Sequence, residues 1–137
     1  MANEFKIRQV YLKDASFQAP GGAAAFSQEW KPETKVDLKI ATDALTDSLV
    51  EVNLTVTVVT RTAGQTAFMV EVVQSGVFII TGYDDAQRHR ITHVICPDML
   101  YPYAREVVEG LITRGRFPAM FLEPIDFGAT YAAPLRH

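Results

Sequence analysis

Cysteine is nearly absent from this chain. Cys96 is the single one among 137 residues, so no internal disulfide can form, and a reducing, cytoplasmic setting is expected. Long apolar runs are missing as well. Solidly apolar stretches such as Val77 to Ile80 fall far below the ~20 residues a spanning helix needs. The first ten residues alternate charged and apolar side chains without an apolar h-region, so they do not read as a secretory signal. Neither sign of charge dominates: 13 basic and 16 acidic residues leave a formal net charge of −3. That balance does not favour a nucleic-acid partner, though it permits contact with basic proteins. Nucleotide motifs are lacking, because no glycine precedes a lysine and neither GxGxxG nor GxSxG occurs. The glycosylation sequon at Asn53-Leu54-Thr55 sits in a strand pattern and is discounted.

Catalytic and metal chemistry is equally thin. His89 and His93 are four apart, which places them on one helix face, but zinc needs further ligands and Cys96 is the only soft donor nearby. Surface or packing histidines are the default, and no metal is expected. Cys96 reads as a small buried hydrophobe rather than a nucleophile. Glu106 and Glu109 read as the solvated side of a helix. No nucleophile–base set appears, so the chain is read as a non-enzyme without a cofactor.

What is present is a β-rich first two-thirds and an α-helical last third. Residues 4–14 carry Phe5, Ile7 and Tyr11 at odd positions and Val10 and Leu12 at even ones, a strand with apolar contacts on both faces. Residues 36–40 alternate cleanly. Residues 50–61 place Val50, Val52, Leu54, Val56 and Val58 on one face and Glu51, Asn53, Thr55, Thr57 and Arg61 on the other. Residues 66–80 put Phe68, Val70, Val72, Phe78 and Ile80 on the even face, and Arg61–Gln65 supplies a glycine-containing hairpin connection.

Helical spacing then recurs at Leu100, Ala104, Val107, Val108 and Leu111, with Gly115 as a C-terminal cap. Ile91, Val94 and Ile95 extend the stripe upstream, so Pro97 and Pro102 predict a kinked or two-part helix over 87–114. Asp126 caps a short last helix bearing Phe127 and Tyr131. The segment Ala15–Glu33 holds Phe17, Pro20, Gly21, Gly22, Phe26, Trp30 and Pro32 without a period. An aromatic connection of that length inside one compact domain is usually functional.

The long loop and the helix make the chain recognisable. Gln9-Val10-Tyr11-Leu12-Lys13-Asp14-Ala15-Ser16-Phe17, Trp30-Lys31-Pro32-Glu33, Thr66-Ala67-Phe68-Met69-Val70-Glu71-Val72, Cys96-Pro97-Asp98-Met99-Leu100-Tyr101-Pro102-Tyr103-Ala104-Arg105-Glu106 and Leu122-Glu123-Pro124-Ile125-Asp126-Phe127 resemble the SecB family of export chaperones, in order, over nearly the whole chain.

The resemblance implies an α+β fold in one domain spanning 1–137: a four-stranded antiparallel sheet, a long kinked helix packed on one face, a short C-terminal helix, and a homotetramer built as a dimer of dimers. Residues 15–33 become the family's crossover loop. The implied function is ATP-independent binding of unfolded preproteins and their delivery to the SecA motor. The alternative is a related chaperone dedicated to another client, such as the antitoxin of a toxin–antitoxin pair.

By the same resemblance, the client groove involves Phe26, Trp30, Val36, Leu38, Leu122, Ile125 and Phe127. Trp30 is the foremost of these, because a tryptophan beside Pro32 in a loop is an odd place for pure core. The SecA-binding face involves Asp14, Met69 and Glu71, and tetramer assembly involves Val70, Val72 and Gln74. Gln18 stands where the family often has a carboxylate, and the chain ends Pro134-Leu135-Arg136-His137 without the acidic tail many members carry; both bear on SecA binding.

Overall fold

A computed structural model describes residues 2–132; the Pro134–His137 ending lies outside the described residues. The four strands are β1 (Glu4–Gln18), β2 (Glu33–Ala44), β3 (Leu49–Thr62) and β4 (Gln65–Thr81). They form one antiparallel sheet in the order β1-β4-β3-β2. Strands β2, β3 and β4 make a meander. The chain leaving β1 must therefore cross two strands to reach the far edge.

The β3–β4 connection is tighter than the pattern suggests. Thr62 pairs with Gln65, leaving only Ala63 and Gly64, both left-handed at φ 52° and 75°, the geometry that matches strand twist in a two-residue hairpin. Strand β1 also runs past its expected end to Gln18, and β2 begins at Glu33. The crossover loop is thus 19–32, with a 3₁₀ turn at Gly22–Ser27.

The two-faced reading of β1 is corrected by its register. Shifts between Ile7 and Gln9 and between Leu12 and Asp14 are β-bulges, and each one inverts the alternation. Phe5, Ile7, Val10, Leu12, Ala15 and Phe17 consequently pair with Ile80, Phe78, Gly76, Gln74, Val72 and Val70, all on one face. That face is the core: Val52, Leu54, Val56, Val58, Val70, Val72, Phe78 and Ile80 are closed to solvent beneath the helix.

The helical layer reads α1 (Asp85–Arg90), a π-helical turn at Ile91–Ile95, α2 (Cys96–Arg114) and α3 (Phe127–Ala132). Asp84 opens α1 with a reciprocal capping box to Gln87. The break expected at the prolines lies just upstream of them. Cys96 N–H donates to the Ile91 carbonyl, five residues back, and this wider turn prepares the helix for Pro97, which lacks an N–H and clashes with an ordinary i−4 carbonyl. Pro102 lies inside α2.

Sheet and helix pack closely at Gly76, where a Cβ would stand 2.7 Å from Phe78 and 3.0 Å from Leu100. Gly115 follows α2 as expected but keeps φ −72°; the left-handed residue is Arg116, at φ 67°. The glycine is needed for space instead, since a Cβ there would run into the Phe17 ring.

On the outer face of the sheet Glu51 gathers a polar network. Its carboxylate accepts from Tyr11 Oη at 2.5 Å and from Lys13 Nζ at 2.8 Å, while Asn53 Oδ1 accepts from Ser75 Oγ at 2.5 Å. The Lys13 and Tyr11 hydrogen bonds hold the Glu51 carboxyl below its ordinary value, and the bond to that carboxylate raises Tyr11. A lowered carboxyl stabilises the fold above the unfolded value, and this contribution disappears as pH falls through the folded one. We expect acid unfolding of Glu51→Gln to start from lower stability at neutral pH and to fall less steeply below about pH 4. Urea melts across pH check it, and parallel wild-type and variant curves would refute it.

Candidate functional site

The end of β1, the crossover loop, the start of β4 and the connector after α2 meet in a cluster of aromatic rings. Phe117 is the hub. Its ring centroid lies 5.0 Å from Phe68, 5.2 Å from Phe26, 5.8 Å from Trp30 and 6.3 Å from Phe17. Phe17 also stacks on Phe68 at 6.0 Å. Phe117 is buried and holds both crossover-loop aromatics, Phe26 and Trp30, from one side.

Beside this cluster is a cavity of about 140 Å³ lined by Trp30, Pro32, Thr34, Thr60, Phe68, Pro118, Ala119 and Met120. A wider hollow of about 480 Å³ lies where the connector meets α3, lined by Val94, Pro124, Ile125, Phe127 and the charged Arg90, Asp98 and Asp126. The connector after Gly115 walls both. On the connector Phe121 is 82% exposed, and Phe26 on the crossover loop is 57% exposed.

Two side chains of α2 tie this connector down. Glu109 Oε2 accepts from Leu122 N–H at 2.9 Å, and Tyr101 Oη donates to the Glu123 carbonyl at 2.6 Å. Glu109 is therefore a strap and not simply a solvated carboxylate. Asp126 caps α3 as expected, accepting from Ala129 N–H at 2.9 Å.

The expected groove residues separate into three groups. Trp30 and Ile125 line the hollows, and Phe26 joins the ring cluster by stacking on Phe117. Val36 and Leu38 pair with Val58 and Val56 on the covered face at the β2 edge, where Val36 is exposed and Leu38 half-buried. Leu122 and Phe127 are buried; Leu122 supports the connector from within, while Phe127 also lines the wider hollow. Sequence reasoning missed Phe117, Met120 and Phe121. The signal was available as three large apolar residues between Pro118 and Pro124 and just before them, in a stretch too short for a helix or paired strand.

Asp14, Met69 and Glu71 share the outer sheet face. Ser16 pairs with Glu71, Gln18 with Met69 and Asp14 with Val73. Gln18 thus stands directly across from Met69, beside the carboxylate. Val70, Val72 and Gln74 lie on the opposite face and are buried under the chain's own helix.

His89 and His93 stack with centroids 4.0 Å apart, and His89 Nδ1 hydrogen-bonds with Tyr131 Oη at 2.7 Å. Cys96 does not join them. It is fully buried, and burial pushes its thiol up to about 12, which leaves it without nucleophilic character. Among the described residues no helix is long and apolar enough to cross a membrane.

A family model, SecB, described as preprotein translocase subunit SecB, matches residues 1–137. The protein-export protein SecB of Alkalilimnicola ehrlichii is 47% identical over 128 residues, covering 93% of this chain and 68% of the relative. The protein-export protein SecB of Hahella chejuensis is 41% identical over 132 residues, covering 96% of this chain and 83% of the relative. Among solved structures, a Mycobacterium tuberculosis SecB-like chaperone, in complex with a ChAD peptide from the HigA1 antitoxin, has a TM-score of 0.71 at 19% identity, covering 88% of this chain and 87% of that one. That likeness is one of fold.

Proposed function

From the premise that this chain belongs to the SecB family of protein-export chaperones, we propose that it captures unfolded preproteins in the cytoplasm without nucleotide and passes them to the SecA motor as a homotetramer. The family is one of chaperones and not a class of enzymes. The observation that carries client capture is the pair of exposed rings Phe26 and Phe121, together with a small, mainly apolar hollow at Trp30 and a wider mixed one at Ile125. An unfolded chain offers apolar side chains without fixed order, and exposed rings and shallow hollows accept them by desolvation. Burying ~1,000 Å² of apolar surface gives ~25 kcal/mol gross, most of which offsets ordering the client. Several copies of the wall in one assembly add avidity.

Assembly is supported by an unfinished flank. Ile7 and Leu12 on the covered face of β1, and Ile95 and Tyr103 on the helical layer, are all exposed. A second copy would cover them. Val70, Val72 and Gln74 would act indirectly, by seating α2 so that this flank faces the partner.

Delivery to SecA is supported by the outer face, where Asp14, Met69 and Glu71 offer carboxylates around a methionine. Gln18 reduces the negative charge there, and this favours a second reading: a chaperone with the same groove that serves a dedicated client such as an antitoxin.

Native mass spectrometry with a permanently unfolded, reduced and carboxymethylated protein tests capture. A tetramer gaining one client chain is expected, and a monomer that ignores the client would sink the proposal. A SecA pull-down with Asp14→Lys/Glu71→Lys tests delivery. We expect retention of SecA to fall about tenfold while client binding is unchanged. A wild type that captures clients but ignores SecA would favour the dedicated chaperone.

A further inference from the structure

We propose that Thr62, at the tip of the β3–β4 hairpin, is the positioning residue that sets Trp30 in the groove; this rests on the client-binding reading above. The Thr62 hydroxyl donates to the Glu29 carbonyl at 2.8 Å and accepts from the Lys31 N–H at 3.0 Å. These are the backbone groups immediately before and after Trp30. One hydroxyl thus spends its proton and a lone pair on the two sides of a single residue.

The surrounding geometry explains why such a clamp matters. Gln28 ends the 3₁₀ turn with extended backbone, φ −94° and ψ 154°. Glu29 and Lys31 pair on the solvent side at 3.4 Å, each side chain 76% exposed. In an extended stretch the residue between two outward side chains points inward, and Trp30 packs on Phe117 and lines the small cavity.

Ring stacking alone permits sliding and rotation; two directional hydrogen bonds do not. Thr62 is itself a fixed post. It is 3% exposed, its Cβ is branched and stiff, it pairs with Gln65, and the following left-handed turn is braced by Arg61 Nη2 donating to the Gly64 carbonyl at 2.8 Å. The hairpin tip therefore fixes the depth and tilt of the tryptophan. The loop end at Trp30 is the part of the wall that must keep its shape if the cavity beside it is to admit a client side chain.

Thr62→Val keeps the branched shape and removes both bonds, whereas Thr62→Ser keeps the hydroxyl. Trp30 is the only tryptophan in the chain, so its fluorescence anisotropy reads the clamp directly. We expect Thr62→Val to retain cooperative unfolding, to lower Trp30 anisotropy, to speed exchange of the Lys31 amide about tenfold and to weaken binding of a reduced, carboxymethylated unfolded protein about tenfold. Thr62→Ser should restore all three.

Wild-type anisotropy and client affinity in Thr62→Val would overturn the proposal. Should that variant not fold, the wild-type Lys31 amide decides: strand-like protection supports the clamp, and exchange at the rate of an open loop refutes it. A wild type that binds no unfolded protein would instead defeat the client-binding reading, while anisotropy and amide exchange would still judge the clamp.

Discussion

Phe117→Ala should lower unfolding free energy by about 3–5 kcal/mol and abolish capture of unfolded protein under conditions where the wild type binds. Phe117 is 5% exposed, and its ring is the common neighbour of Phe17, Phe26, Trp30 and Phe68. Truncation leaves a void that four rings border, and the sheet side cannot collapse into it, because Phe68 is fixed in the paired strand β4. On the loop side Phe26 and Trp30 lose the surface they stack on, so the groove wall loses both its shape and its apolar area. A loss of that size is a large share of the ~5–15 kcal/mol that holds a typical domain together. Urea unfolding and a client-binding titration at low temperature read the two effects separately. A stability loss under about 1 kcal/mol would show that the rings are independent and that Phe117 is no hub.

Phe26→Ser combined with Phe121→Ser should do the opposite: binding falls while the fold persists. Phe121 is 82% exposed and Phe26 57%, so neither supplies much of the chain's own core, and the aromatic contact forfeited among the described residues is the Phe26–Phe117 stack. Covering two such rings is worth about 1.5–3 kcal/mol each before ordering costs. With roughly half of that offset, client affinity should weaken about 10- to 100-fold, with a melting temperature close to the wild type's. Titrating an unfolded protein while following Trp30 emission gives the affinity. Unchanged affinity in the double variant would remove the exposed connector from the binding surface and shift attention to Val36 and Leu38 at the β2 edge.

The contrast between these two variants follows from burial, which the chain alone reveals unevenly. The alternation in β3 stands out because it runs Val50 to Val58 without interruption, and the structure buries that same row. The alternation in β1 misleads because each bulge inverts it. A bulge is defined by two residues opposing one on another strand, and nothing within residues 4–18 encodes which partner residue is shared. Glu109 misleads for a similar reason. It looks like any helix carboxylate until the connector returns and presents the Leu122 N–H to it.

The sequence by itself determined the four strands, the helical last third, the cap at Asp126 and the kinship carried by the Cys96–Glu106 run, because periodicity, capping and motif identity are local properties. Tertiary structure decided the common face of β1, the gathering of rings around Phe117 and the pinning of Trp30 by Thr62. Each of these depends on contacts between residues distant in the chain, whose register is set only when the sheet, the crossover loop and the connector close on one another.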